Sequence, residues 1–539
     1  MPGPEKRLLL HDYLRDTAQS AASCTAIVEE GRITSFGQLL GRATALSAAL
    51  VQRGLRKGDR VALVLSKTTE AITALFSTLM AGAVYVPIQP HWPTKRIHAA
   101  LEDCAPRFVM TEPTGGLVDQ SACQTGRTDS LPLIVDRHND NRVPFPEALE
   151  GSSSEFPEPA LEPDDPAFIL FTSGSTGQPK GVVISHRAVG AFVNWSAEEF
   201  QICKADRIAC PSPLSFDLST FDIFNMALCG ATCVIVPDRV VWMPRFLTRF
   251  MNEQRITVWY SVPSILGGML NEPEFARGGY PDLRLILFAG EVFPSQQVAK
   301  LQVTVPHAAC YNLYGPTESN VVAYHHVGQD FDSSRPIPIG KACPYAELML
   351  DPAGREFQDG FWTGELLVRS ESLMTGYWDR PAETEMVFTN VSGREGPPRR
   401  FYRTGDRVSL DSSGNYTFMG RLDRQVKRRG FRIELGEIEA TLGRHADVLE
   451  VVVISSQDHE LQTTITAFVR RRPHSSIAQG EMKAYCAQSV PSYAVPDHIV
   501  FVEDIPRGSR GKIDYAALRE LDARRQGNGD QSGGAPVHS

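Results

Sequence analysis

The sequence predicts an α/β protein built mainly from parallel sheets covered by helices, with a second, smaller unit after residue 420. Three observations carry this. Strand-like apolar runs alternate with helical patterns through the first four hundred residues, the signature of strands joined by crossover helices. Hydrophobic residues make up 42% of the 539, enough apolar material for a large core. After Gly420 comes a charge-dense stretch, Arg421–Lys427, and then a unit of roughly a hundred residues, the size of a small separate domain.

The elements follow in order. Ser35–Arg53 has helical spacing, and Arg60–Leu65 is the first clear buried strand. Ala71–Ile88 carries no charge, but Thr73, Ser77, Thr78 and Gly82 interrupt it. It reads as a buried helix, Thr68–Met80, feeding a buried strand, Ala83–Ile88, rather than a membrane span. Pro144–Asp165 is rich in Pro, Ser and Glu and reads as a surface connector. Pro166–Phe171 and Val182–Ile184 read as strands on either side of a glycine-rich loop. Ala231–Val236, Thr257–Tyr260 and Leu283–Phe288 are further strands, with a helix at Arg245–Gln254. Thr404–Phe418 turns towards hairpins. Ala523–Ser539 is polar and glycine-rich and is expected to be disordered.

Charge and cysteine usage narrow the function. A net charge of −9 argues against general nucleic-acid binding, which wants a basic face. Ten scattered cysteines without a C-x-x-C pair read as core thiols rather than a metal site. No apolar run of signal-peptide type follows Met1–Lys6, so a reducing cytoplasm fits, and neither a membrane nor a nucleic acid is an expected partner.

Leu170–Val182 reads Leu-Phe-Thr-Ser-Gly-Ser-Thr-Gly-Gln-Pro-Lys-Gly-Val. Glycines let backbone N–H groups close around phosphate oxygens, because no Cβ blocks the approach. Thr172, Ser173, Ser175 and Thr176 add hydroxyls, and Lys180 adds a positive charge. The expected ligand is a polyphosphate. Pro179 precedes the lysine and Gly181 follows it, so this is not the common P-loop.

Further segments carry chemistry: Phe216-Asp-Leu-Ser219, Tyr311-Asn-Leu-Tyr-Gly-Pro-Thr-Glu-Ser319, Tyr402-Arg-Thr-Gly-Asp406, Gly420 to Glu439, and Arg510-Gly-Lys-Ile-Asp514. With the glycine-rich loop, in this order, they resemble the core motifs of the adenylate-forming ligase superfamily, and in particular the amino-acid adenylation domains of non-ribosomal peptide synthesis. The resemblance covers roughly residues 8–520. It implies a large N-terminal portion, 1–422, of helix-covered mostly parallel sheets plus a β-subdomain. It also implies a small mobile α+β C-terminal lid, 423–520, before the tail at 521–539. The implied reaction has two halves: a carboxylate attacks the α-phosphate of ATP, and a thiol then attacks the acyl-adenylate.

By matching motif positions, the resemblance places the phosphates on Thr172, Ser173, Gly174, Ser175, Thr176, Gly177 and Lys180. Gly290 and Asn312 also fall among its ATP-binding positions. Tyr314 would stack on adenine, Thr317 would contact the α-phosphate, and Glu318 would hold Mg²⁺. Asp406 would accept from the ribose hydroxyls, with Arg421 nearby. Asp423 matches the hinge, and Lys512 the lid lysine that bridges carboxylate and phosphate. Thr317, Glu318 and Lys512 are the implied catalytic residues.

In such domains the aspartate of Phe-Asp-x-Ser, here Asp217, pairs with the substrate α-amino cation. A fatty or aryl acid would leave it unpaired. Matched positions put Leu218, Phe221, Tyr260, Leu287, Ala289, Leu313, Val321 and Val322 around the substrate side chain. None is charged, so an acidic or basic side chain would lack a counterion. The set closely resembles that of free-standing L-prolyl-AMP ligases. A ligase for alanine or another small amino acid, and more remotely an acyl- or aryl-CoA synthetase, stay open, as does a nucleotide-binding protein without catalysis. No Gly-Gly-x-Ser carrier motif in a helical context is found, so the expected acceptor is the phosphopantetheine of a separate carrier protein.

Overall fold

Short apolar runs with every residue buried, such as Leu285–Ala289 and Val84–Ile88, form the centres of two sheets. Strands covered on both faces need such continuous apolar sequence. The structure is a computed structural model describing residues 9–111, 133–134, 159–174, 179–358, 360–392, 397–457, 463–507 and 512–529.

A nine-stranded sheet runs Lys341–Ala342, Ala323–His326, Ala309–Tyr314, Leu285–Ala289, Val258–Ser261, Arg207–Cys210, Thr232–Ile235, Thr25–Glu29 and Arg32–Ser35. From Ala309–Tyr314 to Thr25–Glu29 all neighbours are parallel, and the outer pairings are antiparallel. A seven-stranded sheet runs Gly376–Tyr377, Lys180–Ser185, Pro166–Thr172, Val84–Ile88, Arg60–Val64, Phe108–Thr111 and Leu133–Ile134. The Thr69–Met80 helix, capped by the Thr68 side chain, is buried almost throughout. Among the described residues no helix is long and apolar enough to cross a membrane.

The expected strands and helices are present within a residue or two of their anticipated ends. One relation differs from the parallel expectation. The strands flanking the glycine-rich loop, Pro166–Thr172 and Lys180–Ser185, pair antiparallel. A connection this short cannot make the crossover that parallel strands need. A third, antiparallel sheet of six strands spans residues 346–421 and supplies the hairpins expected at Thr404–Phe418.

The chain forms two compact units. The first comprises Met1–Pro90, Ile97–Thr172 and Pro179–Asp423, and the second His91–Arg96, Ser173–Gln178 and Arg424–Ser539. The second has its own α+β core. A hairpin, Gln425–Arg428 with Phe431–Glu434, precedes a three-stranded sheet of Val448–Gln457, Thr463–Arg471 and His498–Val502. Ile433, Ile438, Leu442, Ile465 and Met482 pack together there.

The tail expectation needs correction. A helix, Tyr515–Gly529, occupies the start of the stretch expected to be disordered. Leu518 is fully buried in it, and the buried Asp522 accepts hydrogen bonds from Thr466 Oγ1 at 3.0 Å and Ser456 Oγ at 3.1 Å. An apolar anchor and a satisfied carboxylate at its start hold the helix, which continues into the first residues of the stretch expected to be disordered.

Candidate active site

The parallel strands of the nine-stranded sheet bring the expected side-chain pocket together at their carboxyl ends, where open α/β sheets bind ligands. Tyr260 pairs in register with Leu287, and Ala289 with Leu313. Phe221, on the Leu218–Cys229 helix, meets Tyr260 edge-on at 5.4 Å between ring centroids. Phe221, Tyr260, Leu287, Ala289, Leu313, Val321 and Leu218 are buried in one apolar cluster. Val322 is not among them. It packs in another cluster with Tyr314, Leu366 and Val408. Val321 and Val322 therefore pack into different clusters.

Asp217 occupies the N-terminal end of that helix and makes no capping hydrogen bond from its side chain. It lines a narrow recess with Thr317, Asn320 and the apolar side chains of Phe168, Leu170 and Ala188. The expected amine reader and the expected α-phosphate contact therefore share one recess. Burial, then the Asp217 charge, pushes the Tyr260 phenol well above its ordinary range.

Thr317 and Glu318 sit on a tight turn after Ala309–Tyr314. A Cβ on Gly315 would lie 1.5 Å from the Asn320 carbonyl oxygen, so only glycine fits there. Glu318 is fully buried. Its Oε1 accepts from the Tyr377 hydroxyl at 2.8 Å, and its carbonyl accepts from the Met374 N–H at 2.7 Å. Lys180 pairs with Glu383 at 2.6 Å and lies 5.5 Å from the Tyr377 ring centroid. Tyr377 therefore touches both the expected phosphate lysine and the expected metal carboxylate, and sequence reasoning missed it. The signal lay in Met374-Thr-Gly-Tyr-Trp378, whose Gly376 and Tyr377 pair with Val183 and Val182.

A second polar network links three expected nucleotide residues. The Tyr314 hydroxyl donates to Asp406 Oδ2, and Arg421 Nη1 donates to Asp406 Oδ1 at 2.8 Å and to the Thr404 carbonyl at 2.7 Å. Arg421 Nε also donates to Asp423 at 2.9 Å. Burial, then the Asp406 charge, raises the Tyr314 phenol well above its ordinary range. Each carboxylate oxygen can accept twice, so Asp406 keeps acceptor capacity for a ligand hydroxyl. Asn312 is committed to the Pro338 carbonyl at 2.8 Å, and Gly290 takes a positive φ of 94° just past the pocket strand.

Thr172 is half-buried at the end of its strand, and Ser173 and Gly174 are buried within the second unit. Ser175, Thr176 and Gly177 lie outside the described residues. Asp423 is the last residue of the first unit. Lys512 is exposed in the second unit, beside the bridge between Arg507 and Ile513.

Among the described residues no group of three or more His, Cys, Asp or Glu side chains forms a metal cage. The single carboxylate of Glu318 fits the way Mg²⁺ is commonly held, by one or two carboxylates with substrate phosphates and water completing the shell.

The model for AMP-binding enzymes matches residues 14–378, and the model for their C-terminal domain matches 437–512. The chain belongs to the AMP-binding enzyme family. It is an AMP-forming ligase. A relative from Pseudomonas fluorescens, named an L-proline–[L-prolyl-carrier protein] ligase, is 33% identical over 95% of this chain and 98% of its own length. One of the same name from Streptomyces coelicolor is 35% identical over 94% and 95%. The fold is shared with a double-mutant o-succinylbenzoate CoA synthetase from Bacillus subtilis. That structure has a TM-score of 0.81 at 21% identity and covers 94% of this chain and 98% of its own. The likeness confirms an α/β ligase fold with a β-subdomain and a separate C-terminal domain.

Proposed function

We propose that this ligase activates L-proline with ATP and passes it to the phosphopantetheine thiol of a carrier protein, supplying a specialised-metabolite pathway of the pyrrole-forming kind. The observation that carries the reading is the recess that Asp217 shares with Thr317, next to a buried cluster in which Phe221, Tyr260, Leu287 and Leu313 bring no charge. An acid with one ammonium and a compact uncharged body matches that combination. The names and full-length match of the two proline ligases support the substrate and the acceptor.

In the first step a carboxylate oxygen of proline bonds to the α-phosphorus, and the bond to the bridging oxygen breaks, releasing pyrophosphate. Two anions meet, so the chain must supply oriented donors and positive charge. Thr317 donates to the α-phosphate, and Lys180 exchanges its Glu383 partner for phosphate oxygens. Asp406, oriented by Tyr314 and Arg421, accepts from the ribose. Lys512 bridges carboxylate and phosphate. Glu318 is the residue that would hold Mg²⁺, whose charge offsets that of the phosphates. In the second step the thiolate sulfur bonds to the acyl carbon and AMP leaves.

The test is amino-acid-dependent ATP–pyrophosphate exchange with L-proline, D-proline, L-alanine, glycine, L-serine and benzoate. Exchange with L-proline far above the others is expected. Exchange with alanine but not proline would overturn the substrate and keep the chemistry. Thioester formation on free CoA in place of a carrier would overturn the acceptor.

A further inference from the structure

Asn320 is one of eight described non-glycine residues with positive φ, at 53°, and it closes the turn that carries Thr317 and Glu318. Asparagine tolerates this left-handed region better than most side chains. Its Oδ1 accepts from the Val321 N–H at 2.7 Å, and its Nδ2 donates to Thr220 Oγ1 at 3.2 Å. The Thr220 hydroxyl has one proton, and it donates it to the Asp217 carbonyl at 2.6 Å. Both side chains are buried, at 9% and 3% exposure, so water does not compete for these bonds. Two consecutive hydrogen bonds thus join the turn bearing Thr317 to the residue whose carboxylate lines the same recess.

We infer that Asn320 is a positioning residue, which through Thr220 fixes the separation between the Asp217 carboxylate and the Thr317 turn and thereby selects acids whose amine is on the α-carbon. This rests on the proposed role of Asp217 as the amine reader. An α-amino acid places one carbon between ammonium and carboxylate, and a β-amino acid places two. A fixed separation admits the first and misaligns the second for attack on the α-phosphate. The side chain's size is read by the apolar wall, so the ruler and the wall are separate devices.

The test compares kcat/KM in pyrophosphate exchange for L-proline and for pyrrolidine-3-carboxylate, its β-amino isomer. If another α-amino acid supports exchange, that acid and its β-homologue take their place. In Asn320→Asp the acceptor for Val321 is kept, but the donor to Thr220 is lost. Thr220→Val removes the link with little change in shape, and Thr220→Ser restores it. Loss of the link should lower the α-to-β preference about tenfold, with KM for ATP within about twofold of wild type and Thr220→Ser close to wild type.

An unchanged preference in both Asn320→Asp and Thr220→Val, while Asp217→Asn weakens proline use, would overturn the ruler and leave the amine reader standing. An unchanged response in Asp217→Asn as well would remove both. Equal losses for both acids and for ATP would mark a merely structural role and overturn the proposal.

Discussion

Replacing Asp217 by Asn removes one charge and keeps the side-chain size. The carboxylate sits at a helix end in a partly buried recess, close enough to Tyr260 for its charge to affect the phenol. A unit-charge pair about 4 Å apart is worth about 4 kcal/mol gross at an effective dielectric constant of about 20. Desolvation of both groups reduces this, and hydrogen bonds to charged groups contribute about 1.5–3 kcal/mol net. Taking about 2–3 kcal/mol, kcat/KM for L-proline should fall about 30- to 150-fold. Cyclopentanecarboxylate has the same ring without the ammonium. Its use should hold or improve, because the variant no longer sets a carboxylate charge against an acid that brings no ammonium. Pyrophosphate exchange with the two acids measures the change in preference directly. KM for ATP should not move, because Asp217 is not part of the Tyr314–Asp406–Arg421 network. A fall in proline use below about threefold, or an equal fall for cyclopentanecarboxylate, would refute the assignment.

Other perturbations have equally definite outcomes. His11 and His186, with ring centroids 5.9 Å apart, are held mainly by burial at pKa values of about 3 and about 4, below the ordinary 6.5. Unfolding lets them take up protons, so native stability is complete above pH 6.5 and is lost as pH falls from there towards the folded values. The loss is about 2 kcal/mol per histidine between pH 7 and pH 5. Urea unfolding of wild type and a His11→Gln/His186→Asn double variant at the two pH values should show a clearly smaller pH difference in the variant, and an equal difference would refute the assignment. Gly315→Ala should lower stability by about 1–3 kcal/mol and abolish exchange, since its Cβ would collide with the Asn320 carbonyl; a thermal melt indistinguishable from wild type would contradict the tight turn. Lys512→Ala should cut adenylation about 10²- to 10³-fold, while ATP binding by calorimetry changes little. Equal loss of both would remove the proposed transition-state role. Tyr377→Phe removes the 2.8 Å bond to Glu318 but keeps the ring beside Lys180. It should raise the Mg²⁺ concentration needed for half-maximal exchange more than the ATP KM, and the reverse order would place its effect on Lys180 instead.

What could be read in the sequence was what is encoded over short spans. Apolar runs such as Leu285–Ala289 announce buried strands, because a few consecutive residues decide whether a strand has a polar face. The glycine-rich loop and the Tyr311–Ser319 segment hold their chemistry within a dozen positions, so residue types and order were enough to bring Thr317, Glu318 and Lys180 forward. Tertiary structure decided what depends on strand order and register. It set Asp217 and Thr317 on one recess, turned Val321 and Val322 into different clusters, and brought Tyr377 between Lys180 and Glu318. It also carried the helix Tyr515–Gly529, anchored by Leu518 and Asp522, into the first residues of the stretch expected to be disordered. The division has a physical cause. Periodicity and turn chemistry act between near neighbours in the chain. Facing direction and cross-strand partners come from pairings between distant segments, where a shift of one residue reverses every side chain.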